Sequence, residues 1–221
     1  MKRLLLLPGY LEDSTIFDTL RPLLPPTAEV LAIELEPEFA RWQPTGPVNA
    51  VTFARHLARR CAIGPEDMLI GHSMGGWIAA HLKAQTGAPA VLLSSFTDQR
   101  KVVARARSPL LLALYAWSGV GRGRWLRERA KRQYLFDESR ELYGHLADSM
   151  ARHPRRYVHR QLQVLFAPVP PLAVQPELRI HALADNVVRP PDEPFVMIPG
   201  DHFAHYYHPE LVAAAIRGIM K

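Results

Sequence analysis

The chain has 221 residues, a single cysteine and a hydrophobic content of 48%, which suits one domain with a full core and excludes wholesale disorder. One cysteine rules out an internal disulfide framework, and no apolar run reaches the length of a membrane span. The net charge of +6 hides a division: residues 100–160 hold 15 Lys+Arg against 5 Asp+Glu, and the rest of the chain is acidic, so the basic character belongs to one segment.

In chain order, residues 3–7 read as a buried strand ended by Pro8-Gly9. The leucines after Lys2-Arg3 imitate a signal peptide but are too few for its apolar region, and a cytoplasmic protein is expected. Asp13 or Ser14 caps a short helix running through Phe17 and Leu20. Residues 29–35 form a second strand. Residues 48–62 place Val51, Ala54, Leu57, Ala58 and Cys61 at helical spacing, with Gly64-Pro65 as the stop. A strand over residues 67–70, a helix from Gly76, and a strand over residues 90–94 follow. Strands alternating with helices imply a mostly parallel sheet covered on both faces.

Residues 99–165 carry only helical periodicity. Alternation resumes with strands over residues 178–183 and 195–198 and a last helix opened by Pro209. The organisation is an α/β core of residues 1–98 and 171–221, with an all-helical insertion over residues 99–170.

Gly71-His72-Ser73-Met74-Gly75 lies at a strand-to-helix junction. A serine there, between residues that nearly lack side chains, sits on a tight turn above the sheet edge, with a helix N-terminus beside it. A serine hydroxyl needs a base, and the base needs an orienting group. His202, in the loop after the last strand, is the candidate base, with His205 as its rival. Asp185, after the preceding strand, is the candidate acid, with Asp98 as its rival. The backbone amides of Tyr10 and Met74 are placed to hold a developing oxyanion, with Gly9 giving the sharp turn. His72 is read as a packing residue and Asp201 as loop polarity. His202, His205 and His208 do not share one helical face, so no metal site is expected.

These residues resemble the α/β-hydrolase superfamily across nearly the whole chain: Leu7-Pro8-Gly9-Tyr10, Gly71-His72-Ser73-Met74-Gly75-Gly76, Asp185, and Gly200-Asp201-His202-Phe203. The resemblance implies a mostly parallel α/β-hydrolase sheet whose helical insertion is a lid. Size and lid type are similar to those of small carboxylesterases of the pimeloyl-acyl-carrier-protein methyl ester esterase type. It further implies a serine hydrolase acting on a carboxylic ester, with thioester as second choice, through Ser73, His202 and Asp185 and without cofactor or metal. An acyltransferase or a non-catalytic binding module on the same scaffold are the alternatives. Nucleic acid is not expected as a partner, since few aromatics interleave the arginines.

The insertion carries Arg122, Arg124, Arg127, Arg129, Lys131, Arg132, Arg152, Arg155, Arg156 and Arg160. Either these form a solvated face, or they dock an acidic partner: Arg152, Arg155 and Arg156 could hold an acidic carrier protein that presents a carrier-linked acyl ester, and an anionic membrane or a polyanionic substrate is equally compatible. Leu110, Leu111, Leu112, Leu114, Tyr115, Trp117, Leu162, Leu165 and Phe166 are expected to line an acyl pocket on the insertion's inner face.

Overall fold

The leucine run at the N-terminus sets the centre of the molecule. In the computed structural model, which describes residues 3–103, 107–119, 123–150 and 152–220, it forms strand β1 (Arg3–Leu7). Strand β1 pairs in parallel with β2 (Glu29–Ala32) on one side and β3 (Met68–His72) on the other. The sheet continues in parallel through β4 (Ala90–Leu93), β5 (Leu178–His181) and β6 (Val196–Met197), in the order β2-β1-β3-β4-β5-β6. Successive side chains on a strand face opposite ways, so Leu5, Leu7 and Leu69 enter one core, and Leu4, Leu6, Met68 and Ile70 enter the other.

The first core is closed by α1 (Leu35–Arg41), α2 (Ala50–Arg60) and α3 (Met74–Thr86), through Phe39, Phe53, Leu57, Trp77 and Leu82. Asn49 and Thr52 cap α2 reciprocally, and Gly87 ends α3 in the left-handed conformation (φ 76°). The second core is closed by Ile16, Phe17 and Leu20 and by helix α9 (Pro209–Ile219), through Val212, Ala213 and Ile216. The expected helix after Asp13 is a single 3₁₀ turn, Ser14–Phe17, with Asp13 capping it.

The second strand is shorter than its sequence suggests. It stops at Ala32, and Leu35 instead opens α1. Leu35, Phe39 and Trp42 recur at helical spacing and are all buried, and Pro37 fits the first turn, where its missing N–H costs nothing.

Between β4 and β5 lie α4 (Pro109–Ser118), α5 (Arg124–Lys131), α6 (Asp137–Met150) and α7 (Arg155–Phe166). Polar side chains join this insertion to the core. Trp77 Nε1 donates to the Val164 carbonyl at 3.1 Å, and Arg160 Nη1 donates to the carbonyls of Phe39 and Trp42 at 2.6 and 2.8 Å. Ser139 Oγ donates to Asp201 Oδ1 at 2.7 Å. Asp201 is fully buried, so it anchors the insertion, which goes beyond the loop polarity read for it. A short helix, α8 (Ala204–Tyr207), precedes α9.

Gly75 packs where no side chain fits: a Cβ there would collide with the Leu7 and Pro8 carbonyls of the neighbouring strand end. Gly75→Ala is therefore expected to destabilise the protein by about 3 kcal/mol or more. Gly46→Ala, at a position with open space around it, should change stability by about 0.5 kcal/mol or less. Urea denaturation of the two variants checks this.

Candidate active site

Ser73 ends β3 and begins α3 with φ 51° and ψ −120°, a conformation that a non-glycine residue holds only when its surroundings enforce it. Here they do. Ser73 N–H donates to the Leu93 carbonyl at 3.0 Å, while its own carbonyl accepts from Gly76 N at 3.1 Å, Trp77 N at 3.2 Å and Ser95 Oγ at 2.6 Å. A Cβ on Gly71 would strike Gly75 and Gly76, and one on Gly76 would strike Ser95. The turn thus buries His72 and Met74 completely and leaves Ser73 at the wall of a hollow.

Ser73 and His202 line the same hollow, of about 140 Å³, together with Tyr10, Glu12, Tyr115, Tyr134 and Tyr143. His202 Nδ1 donates to Asp185 at 3.0 Å (Oδ1) and 2.9 Å (Oδ2). Asp185 Oδ1 also accepts the N–H groups of Val187 and Val188, both at 2.8 Å, which fixes the carboxylate. Burial alone would push the His202 imidazole down; the charge of Asp185 and its hydrogen bond more than offset that and hold it above the ordinary histidine value. Burial would likewise push the Asp185 carboxyl up, but His202 holds it below the usual carboxylate range.

The rivals lie elsewhere. His205 is fully buried against Phe17 and His72, with ring centroids 6.1 and 4.0 Å away. Burial, then the charges of His72 and His202, keep it well below the ordinary histidine value. Asp98 caps the turn at Gln99–Lys101 and pairs with Arg100 at 2.6 Å. Among the described residues it makes no hydrogen bond with His202.

The loop after β1 differs from its expected form. The left-handed residue is Leu11 (φ 61°), not Gly9. Gly9 leaves room for the Glu12 carboxylate, since a Cβ there would lie 2.7 Å from Glu12 Oε2 and push that side chain aside. The amides on either side of Tyr10 are taken: Gly9 N–H donates to Glu12 Oε2 at 2.6 Å and Leu11 N–H to Gln161 Oε1 at 3.2 Å. The Tyr10 amide makes no hydrogen bond among the described residues, and Met74 is the first residue of α3, where helix amides lack internal partners. Tyr10 Oη is also buried without a hydrogen bond among the described residues.

Three buried residues organise the site and were not evident in the sequence. Glu12 Oε2 meets His72 Nδ1 at 2.8 Å, and His72 Nε2 donates to the His202 carbonyl at 3.1 Å. His72 therefore ties the loop after β1 to the loop carrying His202, beyond the packing role read for it. Gln161, fully buried on α7, holds Leu11 and donates from Nε2 to Tyr157 Oη at 2.8 Å. These partners lie 60, 130 and 150 residues apart in sequence, and no motif spacing signals them.

A second hollow of about 410 Å³ adjoins Ser73. Leu111, Leu112 and Tyr115 of α4, Leu162, Leu165 and Phe166 of α7, and Phe96, Val102 and Val188 of the core line it. Leu110, Leu114 and Trp117, expected on the inner face, are instead exposed, because a single helix cannot turn leucines at every position inward. Of the basic residues, Arg127 pairs with Asp148 and Arg160 is buried, whereas Arg152, Arg155 and Arg156 are exposed. Arg122 lies outside the described residues.

The sequence profile described as the Alpha/beta hydrolase family matches residues 4–215. No curated protein sequence matches the chain. Among solved structures, a hydrolase from Oleispira antarctica superposes with a TM-score of 0.76 at 12% identity, over 100% of this chain and 91% of that one. An esterase from Thermogutta terrifontis gives 0.74 at 19% identity, over 100% and 89%. An enol-lactonase from Burkholderia xenovorans LB400 gives 0.75 at 13% identity, over 99% and 91%. At these identities the likeness is one of fold.

Two measurements test the site as built. NMR titration should place His202 above the ordinary histidine value in the native protein. Asp185→Asn should bring it below that value, since burial is then opposed by the weaker influence of the Glu12 and Asp201 charges. Gln161→Leu should cost about 1–3 kcal/mol in denaturant unfolding, because it leaves the Leu11 amide unpaired inside the protein.

Proposed function

Because this chain belongs to the alpha/beta hydrolase family, we propose that it is a serine hydrolase that cleaves carboxylic esters through an acyl-enzyme. The observation that carries the reading is the buried Asp185–His202 pair opening onto the same hollow as the strained Ser73. Ser73 Oγ attacks the ester carbonyl carbon as His202 Nε2 takes its proton. The carbonyl π pair moves onto oxygen, where the Tyr10 and Met74 amides donate to it. Collapse breaks the bond to the alcohol oxygen, which leaves with the proton from His202. Water, deprotonated by His202, then attacks the acyl carbon; collapse breaks the bond to Ser73 Oγ, which takes the proton back from His202, and the acid is released. Asp185 keeps the Nδ1 proton in place and stabilises the imidazolium of each step.

Glu12, His72 and Gln161 act as positioning residues in this scheme. Glu12 and Gln161 take the neighbouring amides and leave the Tyr10 N–H for the oxyanion, and His72 holds Glu12 in place. The 410 Å³ hollow is lined almost wholly by apolar side chains, which favours an apolar acyl group as the part of the substrate held beside Ser73. A carboxylic ester is preferred to a thioester only by the generality of the chemistry, and both would use the same residues.

A p-nitrophenyl ester series with Ser73→Ala as control tests the reading. Lengthening the acyl chain should raise kcat/KM roughly three- to fourfold per methylene until the hollow is filled, then stop. Ser73→Ala should lower kcat by about 10⁴-fold or more and abolish labelling by a fluorophosphonate. Labelling that survives in Ser73→Ala would overturn the assignment.

A further inference from the structure

We propose that the outer face of α4 docks on an anionic lipid surface. Leu110, Leu111, Leu114 and Trp117 form one stripe of this helix and are 77, 50, 61 and 48% exposed. The opposite side of the same helix is committed, with Ala116 buried and Leu112 and Tyr115 lining the apolar hollow. Leu111 and Val103, both half exposed, also line that hollow. The hollow therefore reaches the surface beside the stripe.

The surroundings of the stripe select its occupant. Exposed Arg107 stands two residues before α4, and exposed Arg155 and Arg156 stand about one turn before His159, whose ring meets Trp117 at 6.2 Å. None of the three forms an ion pair with a carboxylate among the described residues. An apolar stripe with unneutralised cations at both ends suits a negatively charged partner. A second copy of this chain would bring the same cations together, which is unfavourable.

Within the anionic class, protruding leucines fit a fluid hydrocarbon layer, which needs no shaped receptor, and arginines at the ends fit the headgroups. No described helix is long and apolar enough to cross a membrane, so contact is confined to the interface. An acyl chain leaving the layer would enter the hollow directly. Docking is independent of the ester chemistry above, since it is read without turnover.

Flotation of the full chain with vesicles tests the proposal. The protein should rise with vesicles of phosphatidylcholine and phosphatidylglycerol, remain behind with phosphatidylcholine alone, and be released by added salt. Leu110→Asp with Leu114→Asp should reduce partitioning about tenfold or more. Arg155→Glu with Arg156→Glu should do the same without touching an apolar contact, and fluorophosphonate labelling in the absence of vesicles should match wild type for both variants. Failure of the wild type to bind anionic vesicles at low salt would overturn the proposal. So would binding that ignores both double variants, a dimer in sedimentation that Leu110→Asp abolishes, or retention by an acidic acyl-carrier protein with no vesicle binding. Absence of labelling with vesicle binding intact would instead remove the hydrolase reading and leave the docking face in place.

Discussion

A serine held in a left-handed backbone conformation is the constraint around which the molecule is arranged. Such a residue stores of order 1–3 kcal/mol of strain, and the local sequence cannot hold it unaided. The sheet supplies the restraint: β4 takes the Ser73 amide, Ser95 takes its carbonyl, and β1 comes so close to the turn that Gly75 has no room for a Cβ. The parallel leucine strand β1 has to be buried on both faces for that approach to occur. Core packing and the geometry of Ser73 are therefore one requirement.

A second requirement follows from burial. The loops around Ser73 are withdrawn from water, so their amides and side chains need partners inside the protein. Glu12 serves Gly9 and His72, His72 reaches the His202 carbonyl, and Gln161 serves Leu11. The Gly9 and Leu11 amides are thereby occupied, and in the loop after β1 the Tyr10 amide between them is left without a hydrogen bond among the described residues. The helical insertion takes part in this through Gln161. It is therefore tied to the loop beside Ser73 as well as covering the hollow.

The insertion also separates its two kinds of apolar side chain. Those of α4 and α7 that face each other enclose the hollow beside Ser73, while the outer leucines of α4 stand in solvent between arginines. Helical geometry forces this division, because a run of consecutive leucines wraps around the whole helix. The placement of the basic residues then separates those with polar partners, as at Arg160 and Arg127, from an exposed set that forms no ion pair among the described residues.

Much of this was legible in one dimension. The alternation of apolar strands and amphipathic helices determined the parallel sheet, and glycine spacing around Ser73 marked the turn, because both signals are local in sequence. The order of Ser73, Asp185 and His202 along strand-ending loops was equally readable, since each follows its own strand. The α1 helix is hidden because the apparent strand pattern of Glu29 to Leu35 runs into its first residue, although Pro37 and the spacing of Leu35, Phe39 and Trp42 carry its signal. What only the tertiary structure decided was the partnering of buried polar groups: His72 with Glu12, Asp201 with Ser139, and Gln161 with Leu11. Those pairs form because folding removes water from groups far apart in the chain. Sequence neighbours carry no trace of which distant group will arrive to replace it.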